Sequence, residues 1–131
     1  MPASLNAQGT TPSFTVNDLS VSLRFYTDGL GFEVVDKQEA DGKLTFVSLS
    51  AGDARLGIIQ DDFAKGKNRV KGVGVRLWLN TKQDIAALAK RVKAAGFALE
   101  LEPAPLPWGP MAFAVSDPDG YKITVANVGA N

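Results

Sequence analysis

The side chains that could do chemistry are limited by two absences. The chain has 131 residues, and none of them is His or Cys. Thiolate and imidazole metal ligands, Cys or Ser–His nucleophiles, zinc fingers, disulfides and iron–sulfur clusters are therefore excluded. Any metal site would have to be built from oxygen ligands alone.

The side chains best suited to recognition are aromatic and basic. The segment Val73–Leu79 alternates with period two, which predicts a half-buried strand carrying Arg76 and Trp78. An indole beside a guanidinium suits a flat or anionic ligand, because one supplies stacking area and the other directional donors. Trp108 follows in a Pro107-Trp108-Gly109 loop. The structural alternatives are a core or interface position for Trp78, a loop anchor for Trp108 and a cross-sheet salt bridge for Arg76.

The overall charge limits the classes of partner that are expected. The 14 Lys and Arg residues balance the 14 Asp and Glu residues. Binding to nucleic acid or to an anionic membrane rewards a positive excess, so neither partner is expected. Residues 1–20 contain no signal-peptide pattern and no apolar stretch that could span a bilayer. We therefore expect a cytoplasmic protein with a small-molecule or protein partner.

The elements that must position these side chains occur twice in the same order. Asp18 begins an amphipathic stretch that ends at Gly29 and Gly31, and Asp84 begins another that ends at Gly96. One strand-like run precedes each helix and three follow it. The predicted strands are 11–16, 31–35, 44–49 and 54–60 in the first half, and 73–79, 97–101, 111–115 and 121–127 in the second. This repeat predicts two βαβββ modules.

The predicted fold class is α+β. We expect a flexible tail at 1–9, a first module at 10–62, a linker at 63–71 and a second module at 72–131. The basic residues at the linker, Lys65, Lys67, Arg69 and Lys71, are expected to be solvated. Either module alone would leave one sheet face exposed, so the two are expected to form one curved mixed sheet, with the helices outside and a concave cleft inside.

Three strings carry a family resemblance: Val16-Asn17-Asp18-Leu19, the stretch from Leu23 to Phe32, and the stretch from Asp117 to Ile123. Over about residues 11–127 the chain resembles the glyoxalase / bleomycin-resistance / extradiol-dioxygenase superfamily, also called the vicinal oxygen chelate (VOC) superfamily. The Pro107-Trp108-Gly109 string before Phe113 is similar to the antibiotic-binding resistance branch. The resemblance implies a small-molecule cleft and a homodimer. Pairing of the modules within one chain and pairing across two chains both remain open.

The resemblance also implies four metal positions on the concave face. Carried over to this sequence, they fall on Thr11, Gly57, Gly74 and Thr124. None is His, Glu or Gln, and a lone Thr hydroxyl is a poor ligand for a metal that must activate a carbonyl or dioxygen. We therefore expect a degenerate site with no metal and no other cofactor.

The same four positions indicate which side of each strand faces the cleft, because side chains alternate along a strand. Alternation places Ser13, Arg55, Arg76, Trp78 and Lys122 on that side. Trp108, on the loop at the mouth of the cleft, Met111, and Phe46, whose face the sequence does not fix, complete the residues expected to bind the ligand. The residues expected to point at the helices include Val73, Val75, Leu77 and Leu79. Tyr26, on the apolar stripe of its helix, is predicted to be core. No acid or base falls on the cleft side, so no catalytic residue is predicted.

These features predict a metal-free binding protein that sequesters a planar neutral or anionic ligand in an aromatic and basic cleft. The alternative is an enzyme of the same superfamily, a lyase, isomerase or dioxygenase with a non-standard or lost metal site. A third possibility is an interaction or regulatory module whose cleft is vestigial.

Overall fold

The computed structural model of the protein describes residues 3–128 and contains two modules with the same order of elements. The first consists of β1 (Ser13–Val16), α1 (Leu19–Arg24) with a π-helical turn (Phe25–Gly29), β2 (Glu33–Ala40), β3 (Lys43–Ala51) and β4 (Ala54–Gln60). The second consists of β5 (Arg76–Thr81), α2 (Ile85–Ala94), β6 (Leu101–Pro105), β7 (Met111–Ser116) and β8 (Lys122–Asn127). Neither α-helix in this range is long and apolar enough to cross a membrane.

The strands form two mixed four-stranded sheets, ordered β1-β4-β3-β2 and β5-β8-β7-β6. In each sheet the first strand pairs in parallel with the last, and the other pairs are antiparallel. The α+β class and the two βαβββ modules are thus confirmed. The sequence predicts one curved sheet, whereas within residues 3–128 no strand pair joins the first sheet to the second.

Both helices begin where the sequence predicts, α2 ends just before Gly96 as predicted, and α1 reaches the predicted end at Gly29 only through the π-helical turn. Asp18 Oδ1 accepts hydrogen bonds from the backbone N–H groups of Ser20 and Val21, at 3.1 and 3.4 Å. Asp84 Oδ1 accepts one from Ala86 at 3.0 Å. These carboxylates satisfy N–H groups that have no partner inside the helix and are favoured by its dipole. Gly96 follows α2 at a φ of 96°, a conformation that suits glycine at the end of a helix.

The two modules share a single hydrophobic core. It combines Tyr26, Leu56 and Ile58 of the first module with Phe113 and Ile123 of the second, all fully or almost fully buried. These side chains lie on the sides of the two sheets that face the helices. Helix α1 has only 6 residues and α2 has 10, and one helix of that length cannot cover four strands. The modules therefore bury their remaining apolar surface against each other.

Two contacts between the modules fix this arrangement. The ring of Phe14 in β1 stacks on Tyr121, which precedes β8, with centroids 4.1 Å apart and planes at 5°. The Tyr26 hydroxyl donates a 2.8 Å hydrogen bond to Asp117 Oδ2 in the turn between β7 and β8. Because side chains alternate along a strand and both inner faces meet this core, the outer faces of the two sheets point away from each other. The sheet faces that carry the helices therefore pack against the other module, whereas the sequence predicts the helices on the outside.

The side chain of Asp117 also stabilises the turn before β8. Its Oδ1 accepts hydrogen bonds from the backbone N–H groups of Asp119 and Tyr121, both at 2.9 Å, which closes the turn. Burial raises the pKa of the Asp117 carboxyl, and the hydrogen bonds from Tyr26 and the turn oppose that rise. Burial, with the Asp117 charge adding to it, raises the pKa of the Tyr26 hydroxyl far above its ordinary value. The predicted core position of Tyr26 is confirmed.

The segment between the modules is docked at one end rather than solvated along its length. The side chain of Lys71 is only 3% exposed, and its Nζ lies 2.8 Å from Asp61 Oδ2. The same Nζ donates a 2.7 Å hydrogen bond to Asn17 Oδ1. The hydrogen bond from Lys71 is the main reason that the pKa of Asp61 lies below its ordinary value. The expectation of a solvated basic run is therefore wrong for Lys71.

The start of the second module also differs from the expected strand. β5 begins at Arg76, and Val73 and Val75, which are expected to face the helices, are 74% and 46% exposed. A Cβ atom at Gly72 would lie 2.5 Å from the backbone of Gly120, so the chain crosses that turn closely before the strand begins. Alternation therefore holds only for Leu77 and Leu79, which pack against the core.

Candidate functional site

The outer face of the second sheet carries both tryptophans. We call it the tryptophan face and define it by Arg76, Trp78, Lys122, Thr124 and the neighbouring Trp108. Trp78 is 44% exposed and Trp108 is 67% exposed, and their ring centroids lie 6.2 Å apart with the planes tilted by 41°. Two large aromatic rings that are open to solvent and next to each other offer a stacking surface for a flat ligand.

The loop between β6 and β7 positions Trp108. The Leu106 N–H donates to the Pro110 carbonyl at 2.7 Å, and the Gly109 N–H donates to the Leu106 carbonyl at 2.9 Å. Gly109 adopts a φ of 120°, which only glycine adopts readily, so the Trp-Gly pair makes a tight turn that holds the indole outward. Met111 begins the next strand and is 40% exposed.

Small side chains form the floor of the tryptophan face. In β7, Ala112 and Ala114 alternate with the core residues Phe113 and Val115, so the alanines lie on the outer side. Ala126 of β8 pairs with Ala112, and Thr124 pairs with both Ala114 and Trp78. These four small residues are almost fully buried, so neighbouring side chains cover most of their surface. Ala112 and Ala114 are absent from the sequence prediction, although the alternation of small and large residues in β7 could have revealed them.

A guanidinium covers the threonine at one of the implied metal positions. Arg76 Nη1 donates a 2.8 Å hydrogen bond to the Oγ1 of Thr124. Arg76 has no carboxylate within 4.0 Å among the described residues, so its charge is available to an anion or a carbonyl group of a ligand. A cation at this position also opposes the approach of a divalent metal.

One carboxylate lies beside the tryptophan face, contrary to the expectation that none does. Glu100 Oε1 accepts a 3.0 Å hydrogen bond from Lys122 Nζ, and Glu100 Oε2 accepts a 2.8 Å hydrogen bond from Ser116 Oγ. These bonds, with that from Lys122 the larger effect, lower the pKa of Glu100. Glu100 is therefore ionised and pairs with Lys122, whereas Arg76 acts on Glu100 only from beyond 4.0 Å. Glu100 lies in the coil before an edge strand, where the sequence has no periodic pattern from which its position could have been predicted.

The remaining predicted residues lie elsewhere. Ser13, Phe46, Ser48 and Gly57 share the outer side of the first sheet, which we call the serine face. A Cβ atom at position 57 would lie 2.8 Å from Ser13 Oγ and 3.1 Å from Phe46 Cε1. Arg55 turns back onto the turn before β4, where its Nη1 donates to the carbonyls of Gly52 and Ala54. The structure thus divides most of the predicted residues between two half-sites on opposite sides of the chain, whereas Arg55, and Met111 on the Phe113 side of β7, belong to neither.

The residues at the four implied metal positions do not fit a divalent metal. Thr124 is hydrogen-bonded to a guanidinium, and the space next to Gly57 is filled by Phe46 and Ser13. Thr11 precedes β1 and Gly74 lies in a turn before β5, so they add one hydroxyl and no side-chain ligand. In residues 3–128 no group of three or more Asp or Glu residues is placed to hold a metal ion.

Comparisons with known proteins agree with this fold. Residues 10–125 match the model of the Glyoxalase/Bleomycin resistance protein/Dioxygenase superfamily. A protein of Vibrio cholerae serotype O1 named "Probable lactoylglutathione lyase" is 33% identical over 118 residues, which cover 82% of this chain and 81% of that protein.

Solved structures show the same architecture. TioX from Micromonospora sp. ML1 superposes with a TM-score of 0.75 at 16% identity, over 92% of this chain and 98% of its own. A superfamily member from Sphaerobacter thermophilus superposes with a TM-score of 0.69 at 27% identity, over 93% of this chain and 98% of its own. The chain belongs to the glyoxalase/bleomycin resistance protein/dioxygenase superfamily.

Proposed function

We propose that this chain is a metal-free small-molecule binding protein of the cytoplasm that sequesters a planar neutral or anionic ligand. The observation that carries the proposal is the arrangement of Trp78 and Trp108 as neighbouring exposed rings, with the guanidinium of Arg76 on Thr124. The rings supply stacking area, and Arg76 supplies donors for an oxygen atom at the edge of the ligand. The net charge of the face favours an anionic or neutral ligand over a cationic one.

The proposed binding unit is a homodimer. The tryptophan face and the serine face point away from each other in one chain, so they can form the two walls of one cleft only if they come from different copies. Two equivalent clefts would then form by two-fold symmetry. Ser13, Phe46 and Ser48 would supply the hydroxyl and aromatic groups of the wall opposite the indoles.

Calorimetry with a panel of planar aromatic carboxylates and their uncharged amides tests the ligand class. We expect at least one compound to bind with micromolar affinity. Trp108→Ala should weaken binding roughly two- to tenfold, as expected for loss of one aromatic stacking contact. Arg76→Gln should weaken the carboxylates more than the amides. Lys90→Gln, on the exposed side of α2, is the matched control and should change neither. Equal affinities for all four proteins would refute the assignment.

A complementation experiment tests the dimeric cleft. Ser48→Trp should block the serine face, whereas Trp108→Ala weakens the tryptophan face. In a mixed dimer of these two variants, one cleft combines the two intact faces, so mixing the variants should restore one strong site for every mixed dimer. Ultracentrifugation of the unmixed protein should show a dimer. A monomer, or a mixture that binds no better than its components, would refute this part of the proposal.

The second candidate function is an enzyme of the superfamily, and the observation that favours it is the likeness to the Vibrio cholerae protein named a lactoylglutathione lyase. Elemental analysis of protein purified without chelators, followed by a lactoylglutathione lyase assay with added divalent metals, separates the two candidates. Stoichiometric bound metal together with turnover would overturn the metal-free proposal. Turnover that is unaffected by metals would favour an enzyme with a different mechanism.

A further inference from the structure

A cavity lies between the two modules, next to the edge strand β5. Its volume is about 580 Å³, within the range of sites that hold small organic molecules. Its walls come from the end of the π-helical turn, the turn before β4, the edge strand β5 and helix α2. It therefore lies where the helical sides of the modules meet, and the packing there is incomplete.

The walls of this cavity combine apolar and polar side chains. Leu30, Leu79 and Leu88 are partly buried apolar residues that line it, whereas the core residues Phe32, Phe113 and Val125 also line it but are almost fully buried and expose little surface. The remaining walls carry Asn80, Thr81 and Gln83. Apolar surface is poorly satisfied by water, so an aliphatic chain that covered the three leucines would be favoured. Leucine side chains suit a flexible aliphatic chain, whereas the tryptophan face suits a flat ring.

The polar rim carries one cation, Arg91 of α2. Its Nε donates to the Asp28 carbonyl and its Nη2 to the Thr27 carbonyl, both at 3.2 Å, which fixes the guanidinium at the end of the π-helical turn. Within residues 3–128 Nη1 makes no hydrogen bond and no carboxylate lies within 4.0 Å of the guanidinium. Asp53 lies on the same rim, in the turn before β4. A fixed guanidinium with a free edge is suited to a carboxylate.

We propose that the cavity between the modules is a second ligand site, which takes an aliphatic monocarboxylate with its chain against Leu30, Leu79 and Leu88 and its carboxylate on Arg91. The site is independent of the proposed function, because its charged residue, Arg91, and its leucines lie on the helical side of the sheets. Trp78 lines both regions, so an occupant of the cavity would contact the strand that carries the tryptophan face.

Calorimetry with octanoate and octanol tests this site. The two probes share a chain length and differ in the charged head group. We expect octanoate to bind with one site per chain and about tenfold more tightly than octanol, as one charge-assisted hydrogen bond would give. Arg91→Gln should abolish that preference, and Arg91→Lys, which keeps the charge, should retain part of it. Ala54→Leu, which adds bulk inside the cavity, should weaken both probes.

Trp108→Ala separates this proposal from the function of the tryptophan face, because it should leave octanoate binding unchanged while it weakens planar ligands. Thermal unfolding of each variant shows whether the chain is folded at the assay temperature. Absence of octanoate binding, equal binding of octanoate and octanol, or unchanged affinity in folded Arg91→Gln or folded Ala54→Leu would overturn the assignment. So would loss of octanoate binding in Trp108→Ala.

Discussion

Replacing Tyr26 with Phe tests whether the two modules are held together by their helical sides. The Tyr26 hydroxyl donates a 2.8 Å hydrogen bond to Asp117 Oδ2 across the contact, and both residues are buried. The Phe variant keeps the ring but leaves Asp117 with only the two backbone donors of its turn. A hydrogen bond to a charged group contributes about 1.5–3 kcal/mol, and we expect the free energy of unfolding to fall by that amount.

Urea denaturation at neutral pH, followed by tryptophan fluorescence, measures this loss as a lower midpoint with an unchanged slope. Tyr121→Phe is the matched control. Its hydroxyl donates a 2.8 Å hydrogen bond to the backbone carbonyl of Thr15, which is also between the modules but is uncharged. Loss of such a bond costs about 0.5–1.5 kcal/mol. A loss in Tyr26→Phe no greater than that in Tyr121→Phe would refute the reasoning.

The pH dependence gives an independent check with a definite sign. The hydrogen bond from Tyr26 opposes the rise in the pKa of Asp117, so the pKa of Asp117 should be higher still in Tyr26→Phe. A carboxyl whose pKa is raised by folding destabilises the protein when it is ionised, and stability returns as the pH falls through the raised pKa. The stability difference between the variant and the natural chain should therefore narrow on acidification. A difference that widens would contradict this account.

Two further predictions concern a glycine and an ion pair. Gly57→Ala should lower the free energy of unfolding by about 1–3 kcal/mol, because the new Cβ atom is forced against Phe46, whereas Gly9→Ala, with nothing within 4 Å of its Cβ, should be neutral in the same urea titration. Lys71→Met should lower stability at neutral pH, and the loss should disappear as the pH falls below the depressed pKa of Asp61, since that carboxylate is then protonated in both proteins. A loss that persists unchanged in acid would show that the ion pair is not its cause.

The local elements could be predicted from the sequence because their signals are local. Asp18 and Asp84 each accept hydrogen bonds from the first turn of a helix, and Gly96 permits the conformation that ends one. The turn at Asp117 follows from its own side-chain bonds. Trp78 and Trp108 were predicted to be binding residues, and the structure places them next to each other on an exposed face.

Relations between distant parts of the chain could not be predicted in the same way. The apolar side of a helix can be buried by its own sheet or by another module. Which of the two occurs depends on how much apolar surface of the sheet the helix leaves uncovered, and the alternation of side chains along a strand does not indicate this. Burial of Lys71 needs Asp61 and Asn17 to converge. Exposure of Val73 follows from the close passage of Gly72 over Gly120, which only the folded chain shows. The guanidinium of Arg55 donates to a nearby backbone carbonyl instead of pointing into the predicted cleft.

The alternation of alanines with large residues in β7 and β8 lets the binding surface change independently of the core. Ala112, Ala114 and Ala126 lie under the tryptophan face, while Phe113 and Val125 hold the modules together from the opposite side of the same strands. A larger residue at one of these buried alanines would displace the side chains that cover it, and so alter the outer face without opening a void in the core. The same scaffold could in this way acquire different ligand preferences through single mutations on one side of a sheet.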